Sequence, residues 1–96
     1  MEIEAIEKEV VEAGWDLDYG FLGHLIIGNA GDLAILIPSE AWQGARPEYE
    51  LYDTQRNTVC RVGVIPSPLQ ARMLLDEHGE PTPVAEAEEE WASSTN

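Results

Sequence analysis

Carboxylates are the commonest reactive groups in this chain, and several stand in pairs. Asp16 and Asp18 are two residues apart, as are Glu48 and Glu50, while Asp76 and Glu77 are adjacent. Two carboxylates at i and i+2 on a strand lie on one face about 7 Å apart. That spacing could serve acid–base catalysis or a bound cation, but at this acidic density a solvated face is the expected reading. His24 and His78 are remote in sequence, stand in neither HxxxH nor HExxH spacing, and share the chain with a single cysteine, Cys60. This is too little to build a zinc site. His24 reads as a residue at the edge of a strand, and His78 as a cation at a helix C-terminus, where the dipole favours it. Nucleophilic catalysis needs Ser or Cys beside an oriented base. Cys60 falls mid-strand on an apolar face and behaves as a small hydrophobe, and Ser39 and Ser67 sit at capping positions. No GxxxxGK[ST] is present, and GNAG at 28–31 has the spacing of a hairpin turn rather than of a dinucleotide fingerprint. The expectation is a chain without catalytic chemistry, metal or cofactor.

The elements that must position these groups are legible in part. Ile3, Ile6, Val10 and Ala13 recur at helical spacing across residues 2–13, opposite Glu2, Glu4, Glu9 and Glu12. Glu4 and Lys8 are expected to pair at i,i+4, and Gly14 supplies a left-handed stop. In WDLDYGFLG, Trp15, Leu17 and Tyr19 alternate with Asp16, Asp18 and Gly20, which predicts a half-buried strand with a bend at the glycines. Two apolar runs, 24–27 and 33–37, flank GNAGD and predict a hairpin. The run LAILI has no polar side, as expected of a central strand covered on both faces. Ser39 is placed to cap one turn across Glu40–Trp42 in the loop that follows.

A second hairpin is expected from 48–54 and 58–65 with its tip at Arg56–Asn57, which pairs Leu51 with Val62 and Tyr49 with Val64. Cys60, Val62 and Val64 then share a face with Tyr49 and Leu51, and Glu48, Glu50, Tyr52 and Arg61 share the other. Residues 67–78 carry a full set of helix signals: Ser67 as N-cap, Pro68 at N1, Gln70 completing a capping box, and Gly79 as the stop. Ala71, Leu74, Leu75 and His78 form its inward arc, with Leu69 and Met73 on a separate flank and Arg72 paired to Asp76. The order of elements predicts an α+β fold: an antiparallel sheet of four to five strands packed with an N-terminal and a C-terminal helix. Residues 1–79 form one domain, and 80–96 an acidic tail. That tail has the composition of a disordered segment, although Thr82 as cap, Pro83 at N1 and a Val84–Ala87–Trp91 stripe also outline a third short helix.

Charge is the chain's most distinctive property. Formal net charge is −14. Residues 80–96 hold five acids and no base, so −9 belongs to residues 1–79. Direct binding to nucleic acid is disfavoured, because phosphates are repelled. A single cysteine suits a reducing compartment, the acidic N-terminus is unlike a signal peptide, and no apolar run approaches the ~20 residues of a membrane span. A cytoplasmic protein without membrane contact is expected. A folded acidic scaffold can present carboxylates where a basic channel expects phosphates, and arginine forks pair well with them. In size and charge, though in no motif, the chain is similar to the small phage and mobile-element inhibitors of CRISPR and restriction systems that act as DNA mimics. That resemblance implies a partner with a basic surface, a nucleic-acid-binding effector or nuclease. Acidic immunity proteins and antitoxins share the profile. The residues expected at such an interface are Asp16, Asp18, Glu48, Glu50, Asp53, Asp76 and Glu77, with Trp42 and Trp91 as aromatic anchors. The alternative of another class is an adaptor subunit that makes contact through LAILI and the Leu69/Met73 flank.

Overall fold

The burial pattern of one strand organises the molecule. In Leu33–Pro38 (β3), Leu33, Ile35 and Ile37 are buried and Ala34, Leu36 and Pro38 half-buried, so an all-apolar run still alternates between two unlike environments. The computed structural model describes residues 2–44 and 47–82. Around β3 lie β1 (Asp16–Gly20), β2 (Leu25–Ala30), β4 (Tyr49–Asp53), β5 (Thr58–Val62) and β6 (Glu80–Pro81). All six form one sheet in sequence order, each strand antiparallel to the next. The helices are α1 (Ile3–Ala13) and α2 (Pro68–His78). The α+β architecture is as expected, with six strands rather than four to five. The sixth comes from residues grouped with the tail by composition: Pro81 faces Thr58, Glu80 faces Val59, and the Thr82 amide donates to the Asn57 carbonyl at 2.9 Å. The third helix expected after Thr82 and the residue Trp91 lie outside the described residues.

Both helices pack on the same face of the sheet. Ile6 and Val10 of α1 and Ala71 and Leu75 of α2 join Ile26, Leu33, Ile35, Ile37 and Leu51 in one buried cluster. Among the described residues, LAILI is therefore central with helices on one side only. An antiparallel sheet closes on one face and leaves the other free, and sequence alternation is silent when both faces of a strand are apolar. Trp15 locks the two helices together. It is 2% exposed, and its indole Nε1 donates to the Pro66 carbonyl at 2.7 Å, just before α2. Space for it is made by Gly28, where a Cβ would come within 2.7 Å of Ile35 Cγ2 and 2.9 Å of Trp15 Cβ.

Local signals account for most element ends. Gly14 adopts φ 113° and stops α1. Lys8 of α1 pairs with Glu12 at 3.8 Å rather than with Glu4. β2 runs on through Asn29 and Ala30, so the turn to β3 is only Gly31–Asp32, with Gly31 at φ 59°. The turn after β3 spans Ser39–Trp42 with Pro38 at the cap position and no side-chain cap from Ser39. Ser67 and Gln70 form the expected capping box, with Pro68 at the first helical position. Gly79 closes α2 in an extended conformation, φ −62°, rather than left-handed. A side chain there would strike the Leu75 carbonyl at 2.4 Å. His78 is exposed rather than part of the inward arc.

The β4–β5 register is two residues away from the expected one: Tyr49 faces Val62, Glu50 faces Arg61 and Leu51 faces Cys60. Val64 lies beyond β5 and is 72% exposed. The cause is Asp53, whose Oδ1 accepts the backbone N–H groups of both Gln55 and Arg56 at 3.0 Å. That wraps residues 54–57 into a four-residue loop, with Asn57 at φ 54°. A slip of two preserves which side chains share a face.

Candidate functional site: the open face of the sheet

The strand registers fix what the open face carries. One row across the sheet reads Asp18, Ile27, Leu36, Glu50, Arg61. The next reads Asp16, Asn29, Ala34, Tyr52, Val59, Glu80. A shorter third row is Gly20, Leu25, Pro38. The centre is thus apolar, built from Leu25, Ile27, Ala34 and Leu36, all half-buried and none of them part of the core cluster. Acids border it on both sides: Asp16 and Asp18 on the β1 edge, Glu50 and Glu80 towards the other. Arg61 is the one base on these rows, so the face carries a formal −3. Among the described residues, Asp16, Asp18, Glu50, Glu80 and Arg61 make no ion pair, Arg61 and Glu50 included despite their register.

Tyr52 holds the Glu50 carboxylate in place by donating its hydroxyl proton to it. Burial first, then this hydrogen bond and the Glu50 charge, push the Tyr52 phenol up to about 12, so it remains a neutral donor through physiological pH. On the helix side, Tyr19 of β1 likewise donates to Glu7 of α1, and that hydrogen bond raises its pKa.

Asp16, Asp18 and Glu50 are therefore gathered on one surface: period-two alternation puts Asp16 beside Asp18 on one side of their strand, and the sheet registers add Glu50. Glu48 is exposed just before β4. Asp53 is turned the other way. It shares the inward parity of Leu51, is 2% exposed, and receives Arg72 Nη1 at 2.5 Å and Arg56 Nε at 3.9 Å. Burial alone would raise its pKa. The Arg56 amide, the Arg72 guanidinium and the Gln55 amide outweigh burial and hold the carboxyl below its usual range. Asp53 thus serves the fold. Asp76 is exposed and closes onto Arg56 at 2.9 Å. Trp42 is half-buried against the core.

Sequence reasoning names LAILI as a contact only for an adaptor subunit; it missed that Ala34 and Leu36 form the centre of the acid-bordered face, and it missed Glu80. His24 is exposed just before β2, while Cys60 sits on the helix side of β5 opposite Leu51, three strands away. The structure does not bring them together. A second surface lies along α2, where an open groove of about 380 Å³ is lined by Val64, Ile65, Met73 and Leu74, with Gln70 and Glu77. Met73 is 58% exposed and Leu69 of the same helix 74%. Among the described residues no helix is long and apolar enough to cross a membrane. No family model, no curated protein and no solved structure matches this chain.

Proposed function

We propose that this chain is a non-enzymatic acidic binding module that occupies a basic surface on another protein, a surface of the kind that otherwise holds nucleic acid. The observation that carries the reading is the placement of Asp16, Asp18 and Glu50: three carboxylates from two separated strands, fixed on one face of a sheet and free of ion pairs among the described residues. Charges held on a rigid scaffold engage a basic partner without first losing much conformational freedom. They also speed encounter in a salt-dependent way. An inhibitor of anti-defence type and an immunity protein or antitoxin both use this physics, and the partner's identity separates them.

The test is capture from source cells and from cells under phage attack, with the tagged chain as bait at about 50 mM and about 500 mM salt, across which screening shortens severalfold. The expected result is a basic nucleic-acid-binding protein retained at low salt, released at high salt, and weakened in its nucleic-acid binding by added chain. Retention of no basic protein at low salt ends the reading. The α2 groove favours a second reading, an adaptor subunit joined through Met73 and Leu74. Release that is insensitive to salt, together with a stable assembly in sedimentation, would select it.

A further inference from the structure

We infer that the open sheet face is the docking surface, and that its occupant is a basic amphipathic helix of the partner protein. The inference rests on the reading of the chain as a binder of basic proteins, and it names the surface and the partner's shape. The row Asp18–Ile27–Leu36–Glu50 places two apolar residues between two acids. Three strand spacings separate those acids, about 14 Å. A helix with its side chains is about 10–12 Å across, so one helix laid along β2 and β3 seats its apolar stripe on Ile27, Leu36, Leu25 and Ala34. Lysines or arginines flanking that stripe then reach Asp16 and Asp18 on one side and Glu50 on the other. The strip spans about 13 Å along the strands from the Leu25 row to the Ala34 row, or between two and three helical turns.

Charge excludes the other occupants. Face-to-face stacking of a second copy sets a formal −3 against −3, with acids meeting acids, which costs rather than stabilises. The chain's own residues 83–96 bring four further acids and no base. Nucleic acid is repelled by the same rim. A pure charge interaction leaves the apolar centre unexplained. A basic helix with one apolar stripe satisfies centre and rim together.

The test uses the full chain and two synthetic 18-residue peptides of identical lysine and leucine content, one with the leucines on a single helical stripe and one scrambled. Calorimetry is expected to give at least ~10-fold tighter binding for the patterned peptide, the scale of seating one or two leucines. Asparagine at both positions, Ile27→Asn/Leu36→Asn, is expected to bring the patterned peptide down to the scrambled level, with circular dichroism reporting that the variant remains folded. Backbone amide shifts in the unaltered chain give a readout independent of that variant, and they are expected to cluster on Leu25, Ile27, Leu36 and Tyr52. Equal binding of the two peptides, or shifts clustered on α1 or on the α2 groove, overturns the inference. So does a concentration-dependent dimer in sedimentation, or magnetisation transfer from Trp91 to Ile27 or Leu36 in the free chain, since each assigns the face to another occupant. Failure here looks different from failure of the broader reading: a basic protein still retained at low salt, with no preference for the patterned peptide, removes the docking surface and leaves the binder.

Discussion

The two faces of the sheet use the same strands and opposite chemistry. On the helix side, Ile35 is wholly buried between Gly28 and Leu51, and the single carboxylate set into the layer, Asp53, is matched by two arginines and two backbone amides. One residue further along β3, Leu36 points the other way, is half-buried, and stands between Ile27 and Glu50. There, among the described residues, the carboxylates make no ion pair. A charge needed by the fold comes with its partners; charges left without them on a rigid face are available to another molecule.

The largest expected effect tests the inward side. Asp53→Ala leaves Arg72 with only its longer contact to Asp76 at 3.9 Å and the loop without its acceptor, and is expected to cost about 3 kcal/mol in urea unfolding, the low end of the range for breaking a buried ion pair. Asp18→Ala on the open face is expected to change stability by no more than about 0.5 kcal/mol. Because the Asp53 pKa is lowered in the folded state, its stabilisation is fully present above the unfolded carboxylate value, about 3.9, and is lost as pH falls from there through the folded value. Unfolding midpoints measured between pH 7 and pH 2.5 are expected to show an acid-side loss that shrinks in Asp53→Asn. An unchanged profile in that variant would mean that the inward carboxylate is no different from the outward ones.

Neighbouring residues on β3 provide the next contrast. Ile35→Ala is expected to cost about 2–5 kcal/mol and Leu36→Ala about 1 kcal/mol or less, since one empties a buried site and the other trims a half-open one. Equal costs from denaturant titration would mean that both faces are core. Gly28→Ala forces a methyl group against Ile35 and Trp15 and is expected to cost about 1–3 kcal/mol by the same assay. The smallest effect has the opposite sign. Leu22, in the bend between β1 and β2, is fully exposed and held at φ 57°. Leu22→Gly relieves the left-handed strain and is expected to raise stability by about 0.5–1 kcal/mol in a thermal melt. A drop in melting temperature would mean that Leu22 contributes to the fold after all.

How much of this was legible in the sequence depended on the range of the signal. The α2 boundaries followed from Ser67, Pro68, Gln70 and Gly79, all local. That Asp16 and Asp18 share one side of their strand, and Glu50, Tyr52 and Arg61 one side of the second hairpin, followed from period-two alternation, which survives a register error of two; that the two sides are one face followed only from the sheet topology. The register itself did not, because it is set by the Asp53 side chain capturing amides in its own loop. The inward position of Asp53 was signalled by its shared parity with Tyr49 and Leu51, but charge counting obscured it. Which face of LAILI is open was not legible at all, since Leu36 and Ile35 are equally apolar and only the landing of both helices distinguishes them. Glu80 was hidden for a different reason: a two-residue strand between Gly79 and Thr82 has no periodicity to detect.

The central claim, that position rather than amount of charge makes this chain a binder, is tested most directly with two charge-matched variants. One neutralises the open face (Asp16→Asn, Asp18→Asn, Glu50→Gln, Glu80→Gln), and the other neutralises α1 and its start (Glu2→Gln, Glu4→Gln, Glu9→Gln, Glu12→Gln). Both reduce the formal charge from −14 by four. Affinity for the patterned basic peptide, measured at fixed salt, is expected to fall at least ~10-fold more for the first variant than for the second, the effect of losing two or more close pairs rather than distant charges. Equal losses in the two variants, or the larger loss from α1, would contradict the account.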